Sequence, residues 1–215
     1  MMAKNYFQRV HAATPTRFWI NNVTRSEADL AIEAGAIGCT QNPSYTWKIL
    51  NNSSDAEYAK VLLADIMREE ADNGEALIKL QRELVRGIAK YFLPLYEKSN
   101  GKQGFVSIQG DPFKEDAESI IYFARLNQEA GKNIMAKIPV CEEGLKAIGI
   151  LAAEGIPINA TECMAVRQVI DACEVYMAAT KDMPHPAPMY FSLITGIYDE
   201  YLQKQVAKEN INVSP

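Results

Sequence analysis

One pattern constrains this 215-residue chain more than any other: a short apolar run followed by a longer helical period, six times over. The runs fall at residues 18–22, 36–40, 104–109, 134–139, 156–161 and 189–193. Short apolar runs bounded by turn formers suit strands, and apolar positions three and four apart suit helices. Strict alternation of the two specifies a parallel sheet, because parallel neighbours need a crossover long enough to bring the chain back. Thr24 and Glu27 form a capping pair that opens the first crossover helix, and Gly35, Gly131 and Gly155 stand where helices should stop. Residues 55–98 read as a helical pair inserted between strands two and three, divided at Asp72-Asn73-Gly74. Its second helix is expected to kink or end at Pro94, which has no N–H to donate. Leu80, Leu84, Ile88, Tyr91 and Leu95 form its packing stripe, and Glu69, Glu70 and Asp72 a solvated face.

Composition narrows the partners. Hydrophobic residues make up 48% and charged residues 23%, which suits one folded domain and excludes global disorder. Lys plus Arg is 22 against 27 for Asp plus Glu, so the net charge of −5 provides no basic field for nucleic acid. The four cysteines, Cys39, Cys141, Cys163 and Cys173, form no CxxC pair, and His11 and His185 lie at no zinc-ligand spacing, so no metal is expected. Cysteines scattered through apolar segments read as reduced core residues of a cytoplasmic protein. Residues 1–14 carry no apolar signal core, and no apolar run reaches the ~18 residues of a membrane span. His185, between prolines, reads as a loop residue, while Trp19, Trp47 and Tyr190 suit either site or core.

In parallel α/β folds, ligands bind beyond the carboxyl ends of the strands. The polar residues expected there are Asn21, Thr40 with Asn42, Gln109, Lys137, Asn159 with Thr161, and Ser192. Each interrupts an apolar stretch, where a polar group is costly unless paired or used. Six strands sharing this feature point to a polar site at one end of a barrel. Lys137, in Ile134-Met135-Ala136-Lys137-Ile138-Pro139-Val140, has no carboxylate within its strand. Two readings are open for it: a desolvated, neutral amine able to attack carbonyls, or a strand-end lysine that snorkels or forms a salt bridge. Gln109 and Thr161 suit either site chemistry or strand-end hydrogen bonding. Asn42-Pro43-Ser44 suits either a site or a turn and helix cap.

Several segments, spanning roughly residues 18–200, resemble the transaldolase family, which includes the fructose-6-phosphate aldolases. Thr40-Gln41-Asn42-Pro43-Ser44 resembles the family's T-T-N-P-S turn after strand two. Lys137-Ile138-Pro139-Val140, with Glu142-Glu143-Gly144-Leu145-Lys146-Ala147, resembles its K-[IV]-P-x-T-x-E-G-L-x-A block. Asn159-Ala160-Thr161 resembles its N-x-T on strand five, and Tyr190-Phe191-Ser192 with Gly196 its strand-six segment. The resemblance implies a TIM-type (β/α) barrel with a Schiff-base lysine on strand four, at Lys137, and no cofactor. It implies that Gln109 and Thr161 hold a water for proton transfer, and that Asn21, Thr40, Asn42, Ser44, Asn159 and Ser192 contact substrate. The substrate class implied is a sugar or sugar phosphate from which a dihydroxyacetone unit is cleaved or transferred, and the setting implied is the pentose phosphate pathway.

The departures carry their own expectations. The family aspartate on strand one is Asn21 or its neighbour Asn22 here, and an amide is no proton acceptor. The transaldolase glutamate on strand three is Gln109, which is the residue of the aldolase branch; that branch's strand-six tyrosine is Ile194. The family's phosphate-holding arginine falls on Ile197, which cannot replace a bidentate guanidinium. Weak or altered activity, and a non-phosphorylated or differently charged substrate, are the expected consequences. Family members continue with two more βα units, whereas this chain stops at Pro215, so its single domain is expected to be C-terminally short or differently closed. An alternative reading is therefore a catalytically impaired relative that binds a sugar or a protein partner, with an open strand edge that favours a homo-oligomer.

Overall fold

The six runs become six parallel strands of one sheet in the computed structural model, which describes residues 5–52, 54–209 and 211. The strands are β1 (Phe18–Asn21), β2 (Ala36–Gln41), β3 (Phe105–Gln109), β4 (Ile134–Pro139), β5 (Ile158–Cys163) and β6 (Met189–Leu193). Their order across the sheet is their order along the chain. The sheet curls into a half-barrel, a partial TIM-type (β/α) barrel, and the rings of Trp19 on β1 and Tyr190 on β6 meet edge to face at 5.8 Å. The helices are α1 (Tyr6–Ala13), α2 (Arg25–Ala34), α3 (Tyr45–Asn52), α4 (Ala56–Glu69), α5 (Asn73–Lys98), α6 (Ala117–Gln128), α7 (Glu142–Ala153), α8 (Val166–Thr180) and α9 (Gly196–Glu209). Expectations placed on residues 1–4 and 212–215 lie outside the described residues.

Local chemistry explains most boundaries. The Thr24 N–H donates to Glu27 Oε2 at 2.8 Å where α2 begins, and Gly35 ends that helix at φ +112°. The helical pair expected over residues 55–98 lies there, as α4 and α5. Leu80, Leu84 and Ile88 are buried, with Tyr91 and Leu95 packed beside them against β2 and β3. A second apolar cluster joins α6, α7 and α8 to β4 and β5, so each half of the sheet is backed by its own helices.

Several expectations need correction. Helix α5 does not end at Pro94 but runs on to Lys98. The carbonyl orphaned by the proline belongs to Lys90, an exposed position where water can satisfy it. Glu70 and Asp72 are more than a solvated face: Glu70 Oε2 pairs with Lys79 at 2.6 Å, and Asp72 Oδ1 caps α5 by accepting from the Glu75 N–H. Helix α1 was not foreseen, because none of its residues is fully buried and it shows no clear apolar stripe, although Asn5 and Gln8 cap it reciprocally. Cys141 is exposed at the start of α7 rather than in the core, its Sγ accepting from the Gly144 N–H. Trp47 is 64% exposed and lines neither core nor cleft.

The correction with most consequence concerns β5, which runs from Ile158 to Cys163, not over 156–161. Ala160 pairs with Phe191 and Cys163 with Leu193, so three steps on β5 match two on β6. This is a bulge, and within it Glu162 adopts φ +60°.

Candidate active site

Register brings the polar residues together. Asn21 pairs with Thr40, Thr40 with Ser107, Gln109 with Lys137, and Lys137 with Asn159. Partners in a parallel register point to one face, and here that face is the concave side of the half-barrel. The lower layer is a belt of hydrogen bonds. Trp19 Nε1 donates to Thr40 Oγ1 at 2.8 Å, and Ser107 Oγ donates to the same atom at 3.0 Å. Asn159 Nδ2 donates to Ser107 Oγ at 3.2 Å, and Ser192 Oγ donates to Asn159 Oδ1 at 2.8 Å. Ser107 is a belt member that the sequence reading passed over. Its signal was the same polar interruption of an apolar strand that singled out Gln109, two residues on.

Lys137 stands above this belt. Its Nζ donates to Asn42 Oδ1 at 2.6 Å, and Asn42 Nδ2 donates in turn to Asn21 Oδ1 at 3.1 Å. Asn21, not Asn22, therefore faces the lysine. Asn22 instead fixes the loop: its Oδ1 accepts from the Asn42 N–H at 2.9 Å and its carbonyl from Lys48 Nζ at 2.8 Å. Burial pushes the Lys137 ammonium below the ordinary lysine range, and the negative charge of Glu162 pulls it partway back. The lysine thus has no carboxylate in salt-bridge contact among the described residues and is hydrogen-bonded to a neutral amide instead.

Lys137 opens into a cleft of about 360 Å³ shared with Gln109, Thr161, Glu162, Glu115 and Ile197. A contiguous space of about 200 Å³ reaches Asn21, Thr40 and Ser192. Of the residues expected at the site, Asn21, Thr40, Asn42, Gln109, Lys137, Thr161 and Ser192 line these spaces, while Asn159 braces them from the buried belt. Ser44 does not line them; it stands at the entry to α3, its carbonyl accepting from the Lys48 N–H. Glu162 and Glu115 were missed. Glu162 directly follows Thr161, and a strand placed two residues early left it beyond the site. No group of three or more metal-ligating side chains is found among the described residues, and no described helix is long and apolar enough to cross a membrane.

Fold and cleft together define a protein with a partial (β/α) barrel whose polar site lies beyond the carboxyl ends of its strands. The sequence model of the transaldolase/fructose-6-phosphate aldolase family matches residues 18–212, and the chain belongs to that family. It is 31% identical over 173 residues to a transaldolase of Saccharopolyspora erythraea, covering 74% of this chain and 45% of that protein. The transaldolase of Acidothermus cellulolyticus is 33% identical over 75% of this chain and 46% of its own length. That of Neisseria meningitidis serogroup C is 28% identical over 204 residues, 86% of this chain and 57% of the relative. The chain spans about half the length of the curated relatives it matches.

Proposed function

We propose that this protein is a Schiff-base aldolase or transaldolase that cleaves or transfers a dihydroxyacetone unit between a ketose and an aldose, free or phosphorylated. The observation that supports this most is Lys137: a partly buried amine with a lowered pKa, in a polar cleft, held by a neutral amide. A desolvated lysine keeps the neutral form that attacks carbonyls. Lys137 Nζ adds to the ketose carbonyl, and loss of water leaves a protonated imine. The C3–C4 bond then breaks, its electron pair moving toward the imine nitrogen to give an enamine. The proton of the C4 hydroxyl passes to a water held by Gln109 and Thr161, and the aldehyde departs. The enamine attacks an acceptor aldehyde, or is protonated and the imine hydrolysed. Asn42 orients the amine, and Asn21, Thr40 and Ser192 offer hydrogen bonds to sugar hydroxyls. Asn159 would also reach the substrate, if its bonds to Ser107 and Ser192 yield.

The test is covalent. The folded protein is incubated with dihydroxyacetone, reduced with borohydride, and the modified peptide mapped by mass spectrometry. A reduced adduct on Lys137, lost in Lys137→Ala, is the expected result. A folded protein that forms no adduct would overturn the proposal and favour a relative that binds without catalysing.

A further inference from the structure

A groove of about 420 Å³ lies between α2, α4 and α5 and shares no lining residue with the Lys137 cleft. Helix α5 forms its floor through Leu84, Gly87 and Tyr91, while Arg25 of α2 and Tyr58 of α4 form walls. Its volume falls within the range of about 300–1,000 Å³ common to small-molecule sites.

Gly87 is the first sign that this space is kept open. It lies in the middle of a 26-residue helix, where glycine is less stable than alanine. Glycine is needed in a helix when a neighbouring backbone comes too close for a Cβ. Here a Cβ would meet only Arg25 Cδ, at 4.0 Å, an ordinary van der Waals contact. Packing does not call for glycine at this position, and the missing side chain leaves a dip in the floor of the groove.

Charge is the second sign. Arg25 and Lys90 both line the groove. Lys90 is exposed, and its ammonium makes no hydrogen bond or salt bridge among the described residues. Arg25 Nε stands 3.8 Å from Asp55, and the guanidinium lies over the Tyr58 ring, 5.1 Å from its centroid. One such contact leaves other N–H groups of the guanidinium able to donate. Glu83 is the one carboxylate in the lining among the described residues, and Arg86 already holds both its oxygens, at 3.0 and 3.1 Å. Two cations beside a carboxylate that is already paired suit an anion. Tyr58, half exposed, and Tyr91 add flat apolar surface with hydroxyls at the tips.

We infer that this groove is a second ligand site, for a small anion that carries a planar ring. Arg25 and Lys90 take the phosphate or carboxylate group, and Tyr58 and Tyr91 contact the ring. Nothing in this groove depends on the Schiff-base reading of Lys137.

Four probes separate the parts of this chemistry. Adenosine monophosphate and salicylate join a ring to a phosphate or to a carboxylate, adenosine lacks the charge, and inorganic phosphate lacks the ring. Each is titrated into the whole protein at low salt by calorimetry. The expected result is one-to-one binding of one or both ring-bearing anions, about tenfold or more tighter than either control, and weaker as salt is added. Lys90→Gln should weaken it about tenfold, as loss of a charge-assisted hydrogen bond does. Gly87→Leu should abolish it while raising Tm, because leucine fills the dip and is the better helix former. Lys137→Ala should leave it unchanged. Binding that ignores both Lys90→Gln and Gly87→Leu, or that Lys137→Ala abolishes, lies elsewhere and overturns the inference. So does folded protein that binds neither anion, or binds both no more tightly than the controls.

Discussion

At the scale of single residues, Lys137 holds two opposed influences, burial lowering its pKa and Glu162 raising it. Its acylation by a neutral anhydride, followed by mass spectrometry, should therefore half-saturate below the pH typical of lysine, near 10.4. In Glu162→Gln the half-point should move lower still, because only the raising influence is removed. An unchanged or higher half-point would show that Glu162 does not act on the amine. The same shift has a stability consequence. The unfolded chain binds this proton more tightly than the folded chain, so stability rises as pH climbs from the folded toward the unfolded pKa. Lys137→Met removes that dependence, and its advantage over the parent in urea denaturation should shrink toward alkaline pH. Asn159 poses a different question, since it is 4% exposed and bonded to both Ser107 and Ser192. Asn159→Ala leaves those hydroxyls short of partners, a cost of about 2 kcal/mol that lowers Tm by roughly 4–8 °C in a chain this long. Thermal melts check it. Lys137 and Asn159 stood out in the sequence as polar interruptions of apolar runs. Their pairings did not, because Lys137 and Asn42 lie 95 positions apart and meet only when β2 and β4 share a concave face.

At the scale of elements, Gly144 couples α7 to the lysine strand. A Cβ there would overlap the carbonyl of Pro139, the last residue of β4. Gly144→Ala should force α7 and the end of β4 apart, costing about 1–3 kcal/mol and slowing adduct formation at Lys137. A variant that melts and reacts like the parent would show that the helix yields without moving the strand. The elements also show how far periodicity reaches. Strands β4 and β6 match the sequence reading to the residue, because a clear apolar run marks each of them locally. Strand β5 was misplaced because its bulge is a relation between two strands. Nothing in Thr161-Glu162-Cys163 alone announces that three steps will match two on β6.

At the scale of the whole molecule, β1 and β6 are each paired on one side only among the described residues. An unpaired edge is a template for another strand. Leu193 on β6 and Ile197, Tyr201 and Leu202 on α9 add exposed apolar surface nearby. Light scattering across a concentration series is expected to give a mass that rises above the 23.9 kDa of one chain. A constant 23.9 kDa would show that these edges are protected in solution.

The order of strands and helices, the parallel sheet and the candidate lysine follow from the sequence by itself, because periodicity, caps and a polar residue in an apolar run are local properties. The tertiary structure alone decided which groups face that lysine. The curl of the sheet brings Asn42 to its amine and Asn21 to Asn42, and a bulge on β5 adds Glu162 to its cleft. Those neighbours depend on strand register and sheet curvature, which arise from packing the whole sheet against its helices and from no single segment.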